Sequence, residues 1–431
     1  MIVRTLLAAV LLVLAQARQP AIDQAWRESS LASFDEVWQT ISDTFYDPAF
    51  AGLDWPAVRA ELRPQVLAAD SPETARHVIR DMLARLKRSH FVVLSASDVG
   101  DDAPVGAASV AIEVRPMAAG MVITRVEANS AASRAGLAPG MLLLGIDGRP
   151  VASLQILVAG QDTRIRTFEF WRRAYRRLRG EQGSRARLRV QPPKGQVRDV
   201  IVTREADRGE IVTLGNLPPW PVRTEVREVT SPGHRRVGVI AFNVWMPAID
   251  RPVAEAVDRF RSAGGLVIDL RGNPGGLALM ISGIAGHLMD DAETLLGRMQ
   301  TRQGQLEFHP NPRRSTPDGR TVAPYHGPVA LLVDELTASA SECFAGALQG
   351  LGRARVFGRP TVGEALPALT KRLPNGDILM YAIGDFVTAG GRSMEGAGVT
   401  PDQVVPLSIG ALTAGRDADL EAAVRWIDAR K

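Results

Sequence analysis

Apolar residues recur three and four positions apart in two early stretches, Phe34, Val37, Trp38, Ile41 and Phe45, then Val78, Ile79, Met82, Leu83 and Leu86. That spacing predicts amphipathic helices. Ser71-Pro72-Glu73-Thr74 supplies a cap serine followed by a proline at the first helical position, a helix start. Residues 18–96 therefore read as a small helical domain, ending at Lys87-Arg88-Ser89-His90-Phe91, where the β-type residues Phe91, Val92, Val93 and Leu94 take over. From Gly106 the pattern changes to short strands, Ala108–Val114, Met121–Val126 and Met141–Ile146, the last ending in the turn Asp147-Gly148. A helical stretch, Leu154–Arg185, interrupts this region before strand character resumes at Ala186–Val190. From Arg236 onward strand-like runs (Val237–Phe242, Leu266–Leu270, Val329–Val333, Ala354–Phe357) alternate with helical ones (Ala254–Arg261, Met280–Met289, Glu342–Leu351), and Ala418–Ala429 reads as a terminal helix. Such alternation predicts an α/β layer.

Composition narrows the class without changing this picture. With 45% hydrophobic and 23% charged residues the 431-residue chain is an ordinary globular protein, long enough for two or three domains. The densest basic run, Arg172-Arg173-Ala174-Tyr175-Arg176-Arg177, reads as a solvated helix face, so no nucleic-acid partner is expected. Met1–Ala17 contains Arg4, an apolar run Leu6–Leu14 and an A-x-A site, Ala15-Gln16-Ala17. This reads as a signal peptide and predicts export to the periplasm or beyond. The apolar run is too short to cross a bilayer core of about 30 Å, so no integral membrane span is expected after signal removal. Cys343 is the single cysteine, which excludes an internal disulfide. No His, Cys, Asp and Glu grouping has metal-ligand spacing, and neither a phosphate-binding loop nor a dinucleotide fingerprint is present; no metal or cofactor is expected.

The candidate chemistry sits after Val329–Val333, in Leu336-Thr337-Ala338-Ser339-Ala340-Ser341-Glu342. A strand that passes through a small-residue turn into a helix puts a hydroxyl at a helix N-terminus, where free amides can hold an oxyanion. On spacing alone Ser339 and Ser341 are both cap candidates. The segment closely resembles the Ser-Ala-Ser-Ala-Ser-Glu motif of the C-terminal processing (tail-specific) serine peptidases, which implies that Ser339 is the nucleophile, with Thr337 replacing the first serine. Leu266-Val267-Ile268-Asp269-Leu270-Arg271-Gly272-Asn273-Pro274-Gly275-Gly276 is similar to a second motif of that family, and implies oxyanion donors at the amide of Gly275 or Gly276 and that of Ala340. Gly391–Asp402 resembles the family's closing Gly-Val-x-Pro-Asp segment. Ala131–Gly140, with Ala135-Gly136-Leu137 and Pro139-Gly140, is similar to PDZ domains, which bind peptide ends by strand addition, although Met141 stands where many carry aspartate. The resemblance thus implies a crotonase/ClpP-like α/β catalytic domain over 206–431, a PDZ-like domain with a helical insertion over 97–205, and polypeptides or peptide C-termini as partners.

One position departs from the pattern. The tail-specific branch carries its base lysine after a Gly-x-x-Thr-x-Gly string, and here Gly358-Arg359-Pro360-Thr361-Val362-Gly363 is followed by Glu364. A serine needs an adjacent base, so a Ser-Lys dyad is excluded there. The related tricorn core protease uses a Ser-His-Ser-Glu tetrad, and Ser89, His90, Ser339 and Glu395 stand at the matching places. That resemblance implies His90 as general base, oriented through Ser89 and Glu395. Two alternatives stay open: Glu364 as the base, or an inactive peptidase fold serving as a peptide-binding or scaffold protein.

Overall fold

The computed structural model describes residues 24–95, 108–156, 162–213, 215 and 219–430. The stretch read as a signal peptide lies outside them, and among the described residues no helix is long and apolar enough to cross a membrane.

Three helices, 24–44, Trp55–Leu67 and Pro72–Ala84, open the described residues. Asp54 caps the second by accepting from Ala57 N at 2.9 Å, and Ser71 Oγ caps the third by accepting from Thr74 N at 3.1 Å. Their periodic residues Phe34, Val37, Ile41, Phe45, Ile79 and Met82 are completely buried. A three-stranded antiparallel sheet joins the same compact unit, with Val92–Leu94 against Ile378–Ala382 and that strand against Ala368–Arg372. A buried ion pair, Arg76 Nε to Asp377 Oδ2 at 2.8 Å, ties helix to hairpin across 301 positions of sequence. The hairpin residues 368–384 thus belong with the helices, a grouping that no local pattern announces.

A second unit holds most of the remainder. Its first layer is an antiparallel sheet ordered Ile112–Met117, Gly120–Val126, Leu142–Ile146, Arg185–Gln191, Arg198–Thr203. Between the third and fourth strands lies the helix Thr163–Leu178, whose Phe170, Ala174 and Leu178, four residues apart, enter the core of that sheet. The second layer is a six-stranded sheet, Thr224–Thr230, Arg236–Phe242, Gly265–Asp269, Val329–Val333, Arg355–Gly358 and Gln403–Val404. The first pair is antiparallel and all others are parallel. Its central strands are buried on both faces, as parallel strands generally are. Ile240, Leu266, Ile268, Leu331 and Val356 face the helices Asp250–Arg259, Met280–Ala285 and Ala340–Gly350. Val237, Val239, Val267, Ala330 and Leu332 face the helix Ala418–Asp428.

Candidate active site

In open parallel sheets, ligands bind outside the carboxyl ends of the strands. Three adjacent strands, Gly265–Asp269, Val329–Val333 and Arg355–Gly358, run in one direction, and from their carboxyl ends issue the glycine loop, the Ser339 turn and the loop of Glu364. The topology therefore gathers three segments that lie far apart in sequence.

Ser339 is the N-cap of the helix Ala340–Gly350 and holds φ 55°, ψ −123°. A non-glycine residue there stores strain of about 1–3 kcal/mol, which persists only where the surroundings fix it. They do so here. The Ser339 amide donates to Glu364 O at 2.8 Å and to Glu342 Oε2 at 3.0 Å. Gly275 presses on the other side: a Cβ on it would lie 2.6 Å from Ser339 Cβ and 3.0 Å from Ala340 N, so only glycine fits. The structure also separates the two serines. Ser341 is fully buried and its Oγ accepts from Trp245 Nε1 at 2.8 Å, whereas Ser339 keeps partial exposure.

The amides expected from sequence to face an oxyanion differ in their partners. The Gly275 amide already donates to Asn273 Oδ1 at 2.9 Å. Among the described residues, the amides of Gly276 and Ala340 find no acceptor, and Gly276 is exposed.

Two carboxylates that sequence reasoning passed over brace these loops. Asp334, buried at the end of the strand Val329–Val333, accepts from Gly272 N at 2.8 Å and Leu336 N at 3.1 Å, and from Arg115 Nε at 2.8 Å. Burial would raise its pKa, but Arg115, Arg359 and the Gly272 amide bring it down to about 2. Thr337 adds a bond from Oγ1 to Leu270 O at 2.9 Å, so the substituted threonine also links the Ser339 turn to the glycine loop. Glu342, wholly buried, accepts from four donors: Ser339 N, Glu364 N at 3.1 Å, Gly363 N at 2.6 Å and the Thr361 hydroxyl. Burial raises its pKa to about 7 against the pull of those donors. The glutamate of the nucleophile motif was visible, but its partners are distant in sequence.

Glu342→Gln replaces one acceptor oxygen by a donor NH2 and leaves at least one buried amide unpartnered. An unsatisfied buried polar group costs about 1–3 kcal/mol. Chemical denaturation of the variant is expected to show a loss of that size; unchanged stability would contradict the bracing role.

Glu364 occupies the loop after Gly363 with its side chain half-buried. Burial raises its pKa to about 7; repulsion from Glu169 and Glu395 adds to the rise and Arg172 opposes it. Glu395 Oε2 accepts from Ala365 N at 3.1 Å, so its carboxylate lies on the adjoining segment. Ser89 and His90 belong to the helical unit. There Ser89 Oγ lies 2.7 Å from His90 Nδ1, and His90 holds φ 63°. His90 is half-buried as a residue, and burial pushes its pKa down to about 4, so the imidazole is neutral at pH 7. Among the described residues no cluster of His, Cys, Asp and Glu could hold a metal ion.

A strained, partly exposed N-cap serine facing a glycine loop suits a serine-type peptidase, and the family match identifies the chain as one. Residues 236–405 match Peptidase family S41, and residues 26–84 match the tricorn protease C1 domain. The chain resembles a carboxyl-terminal-processing protease of Picosynechococcus sp. at 28% identity, over 90% of this chain and 86% of that protein. The structure of the photosystem II D1 C-terminal processing protease aligns with TM-score 0.58 and 23% identity, covering 93% of this chain and 98% of that one. That of mature CPAF aligns with TM-score 0.62 and 15% identity, covering 94% and 96%. The overall fold is thus the mixed helix-and-sheet fold of these peptidases.

Proposed function

We propose that this peptidase acts outside the cytoplasm and hydrolyses a peptide bond near a polypeptide C-terminus through an acyl-enzyme on Ser339. The observation that carries the reading is the contrast at the nucleophile turn: Ser339 partly exposed on a strained cap between two acceptor-free amides, Ser341 sealed against Trp245. The relatives' names supply the C-terminal preference, and Met1–Ala17 supplies the export signal. The layered sheet reads as the crotonase/ClpP-like catalytic layer, and the antiparallel sheet as a PDZ-like module that receives the peptide.

In this reading neutral His90 Nε2 takes the Ser339 hydroxyl proton as Oγ bonds to the scissile carbonyl carbon. The amides of Gly276 and Ala340 hold the resulting oxyanion. The proton then passes to the leaving amine as the C–N bond breaks, and water repeats the cycle on the ester. Ser89 on Nδ1 fixes the ring so that Nε2 is the free nitrogen, and Glu395 orients Ser89. Residues 26–84, in the same helical unit as His90, match the tricorn C1 domain, and that likeness supports a tricorn-type base. A second reading, with Glu364 as base, is favoured by its near-neutral carboxyl and by the bond from Ser339 N to its carbonyl.

Labelling with a fluorophosphonate probe, followed by peptide mapping, tests the nucleophile directly. A single adduct on Ser339 is expected. An unlabelled protein would favour the inactive scaffold, and an adduct on Ser341 would overturn the assignment.

A further inference from the structure

The helix Thr163–Leu178 lies within the antiparallel layer in sequence, yet Ile165, Phe168 and Trp171 pack toward the Ser339 turn. Phe170, Ala174 and Leu178 anchor one side in the sheet core, while Phe168 packs with Leu336, Ala338 and Val362, the residues around Ser339 and before Glu364. Asp162 Oδ1 caps its first turn by accepting from Arg164 N at 2.8 Å, which fixes the backbone that carries Arg164. From there the Arg164 guanidinium donates through Nη1 to Ala397 O at 2.6 Å and through Nη2 to Gly396 O. Those carbonyls directly follow Glu395. The same turn is held from below by Gly396 N donating to Gly363 O at 2.8 Å. It is clamped between the helix and the loop of Glu364.

We propose that Arg164 is a positioning residue of the peptidase: through the Gly396 and Ala397 carbonyls it holds the turn that presents the Glu395 carboxylate. Two charge-assisted hydrogen bonds from one planar group fix both the position and the direction of a short glycine-containing turn. Lysine, a single rotatable ammonium, can satisfy one of the two carbonyls. The inference rests on the proposed role of Glu395, and it explains why the helical insertion reaches this far: its first turn carries the support of the catalytic loop.

A double-mutant cycle on peptide hydrolysis by the full chain tests this. Arg164→Ala is expected to lower kcat about 10-fold with KM changed less than about 2-fold, since misplacing a catalytic group costs turnover rather than binding. Arg164→Lys is expected to recover part of the loss. In a Glu395→Gln background, Arg164→Ala is expected to add little, because the group it positions is already disabled. Full additivity of the two losses, or wild-type kcat in Arg164→Ala, would overturn the proposal. If Glu395→Gln alone retains full activity, the parent reading fails instead. Thermal unfolding and probe labelling of each variant at Ser339 separate these outcomes from misfolding.

Discussion

Ser339→Ala is expected to lower kcat/KM on an unfolded polypeptide by about 10⁴-fold or more while leaving the fold intact. Under the proposed mechanism the chemistry loses its acyl acceptor, and Ser341 cannot replace it because it is buried with its oxygen committed to Trp245. The fold should hold because the local restraints act on the backbone: the Ser339 amide keeps Glu342 and Glu364 as acceptors in the alanine variant. Both residues carry a Cβ, so the strain at φ 55° is unchanged and the contact with Gly275 is preserved. Equilibrium unfolding should therefore move by less than about 1 kcal/mol. Residual cleavage near the wild-type rate, with the fold intact, would remove Ser339 from the mechanism.

What the sequence made legible follows from how local each signal is. The strand before Ser339 reads as Val329–Val333 and forms there, because five consecutive apolar residues, too few for a helix and rich in valine, fit a strand buried on both faces. The following helix starts at Ala340, two residues before the apolar pattern predicts, since its cap is the strained serine itself. The strand Thr224–Thr230 escaped notice: it lies on the sheet edge, sets only Val226 and Val229 among charged and hydroxylated residues, and owes its order to Arg236–Phe242. The hairpin Ala368–Ala382 escaped for a different reason. Its partners Val92–Leu94 and Arg76 belong to the opening segment of the chain, and no spacing encodes such distant pairing. The same division holds at the site. Ser339, the glycines and Glu364 stand in contiguous strings, whereas the roles of Asp334, Glu342 and Arg164 exist only once separate loops meet.

The identity of the base is decided by a pair of substitutions and a pH profile. With His90 as base, His90→Ala is expected to reduce kcat/KM by about 10³-fold or more, and Glu364→Gln by less than about 10-fold. His90→Asn is the companion variant, because asparagine tolerates the left-handed backbone that His90 holds at φ 63°, so a loss shared by both variants is chemical rather than conformational. A base acts only when unprotonated, so activity falls as pH drops through its pKa. Burial puts that of His90 near 4, which predicts an acid limb well below neutrality and a flat profile from about pH 6 to 7. Glu364, raised to about 7 by burial and its acidic neighbours, would instead halve activity near pH 7. The carboxamide of Glu364→Gln cannot accept a proton, so under that alternative the variant is silent and His90→Asn stays active. The two mechanisms thus exchange both the inactive variant and the position of the acid limb, and a chain in which His90→Asn keeps its activity has its base elsewhere.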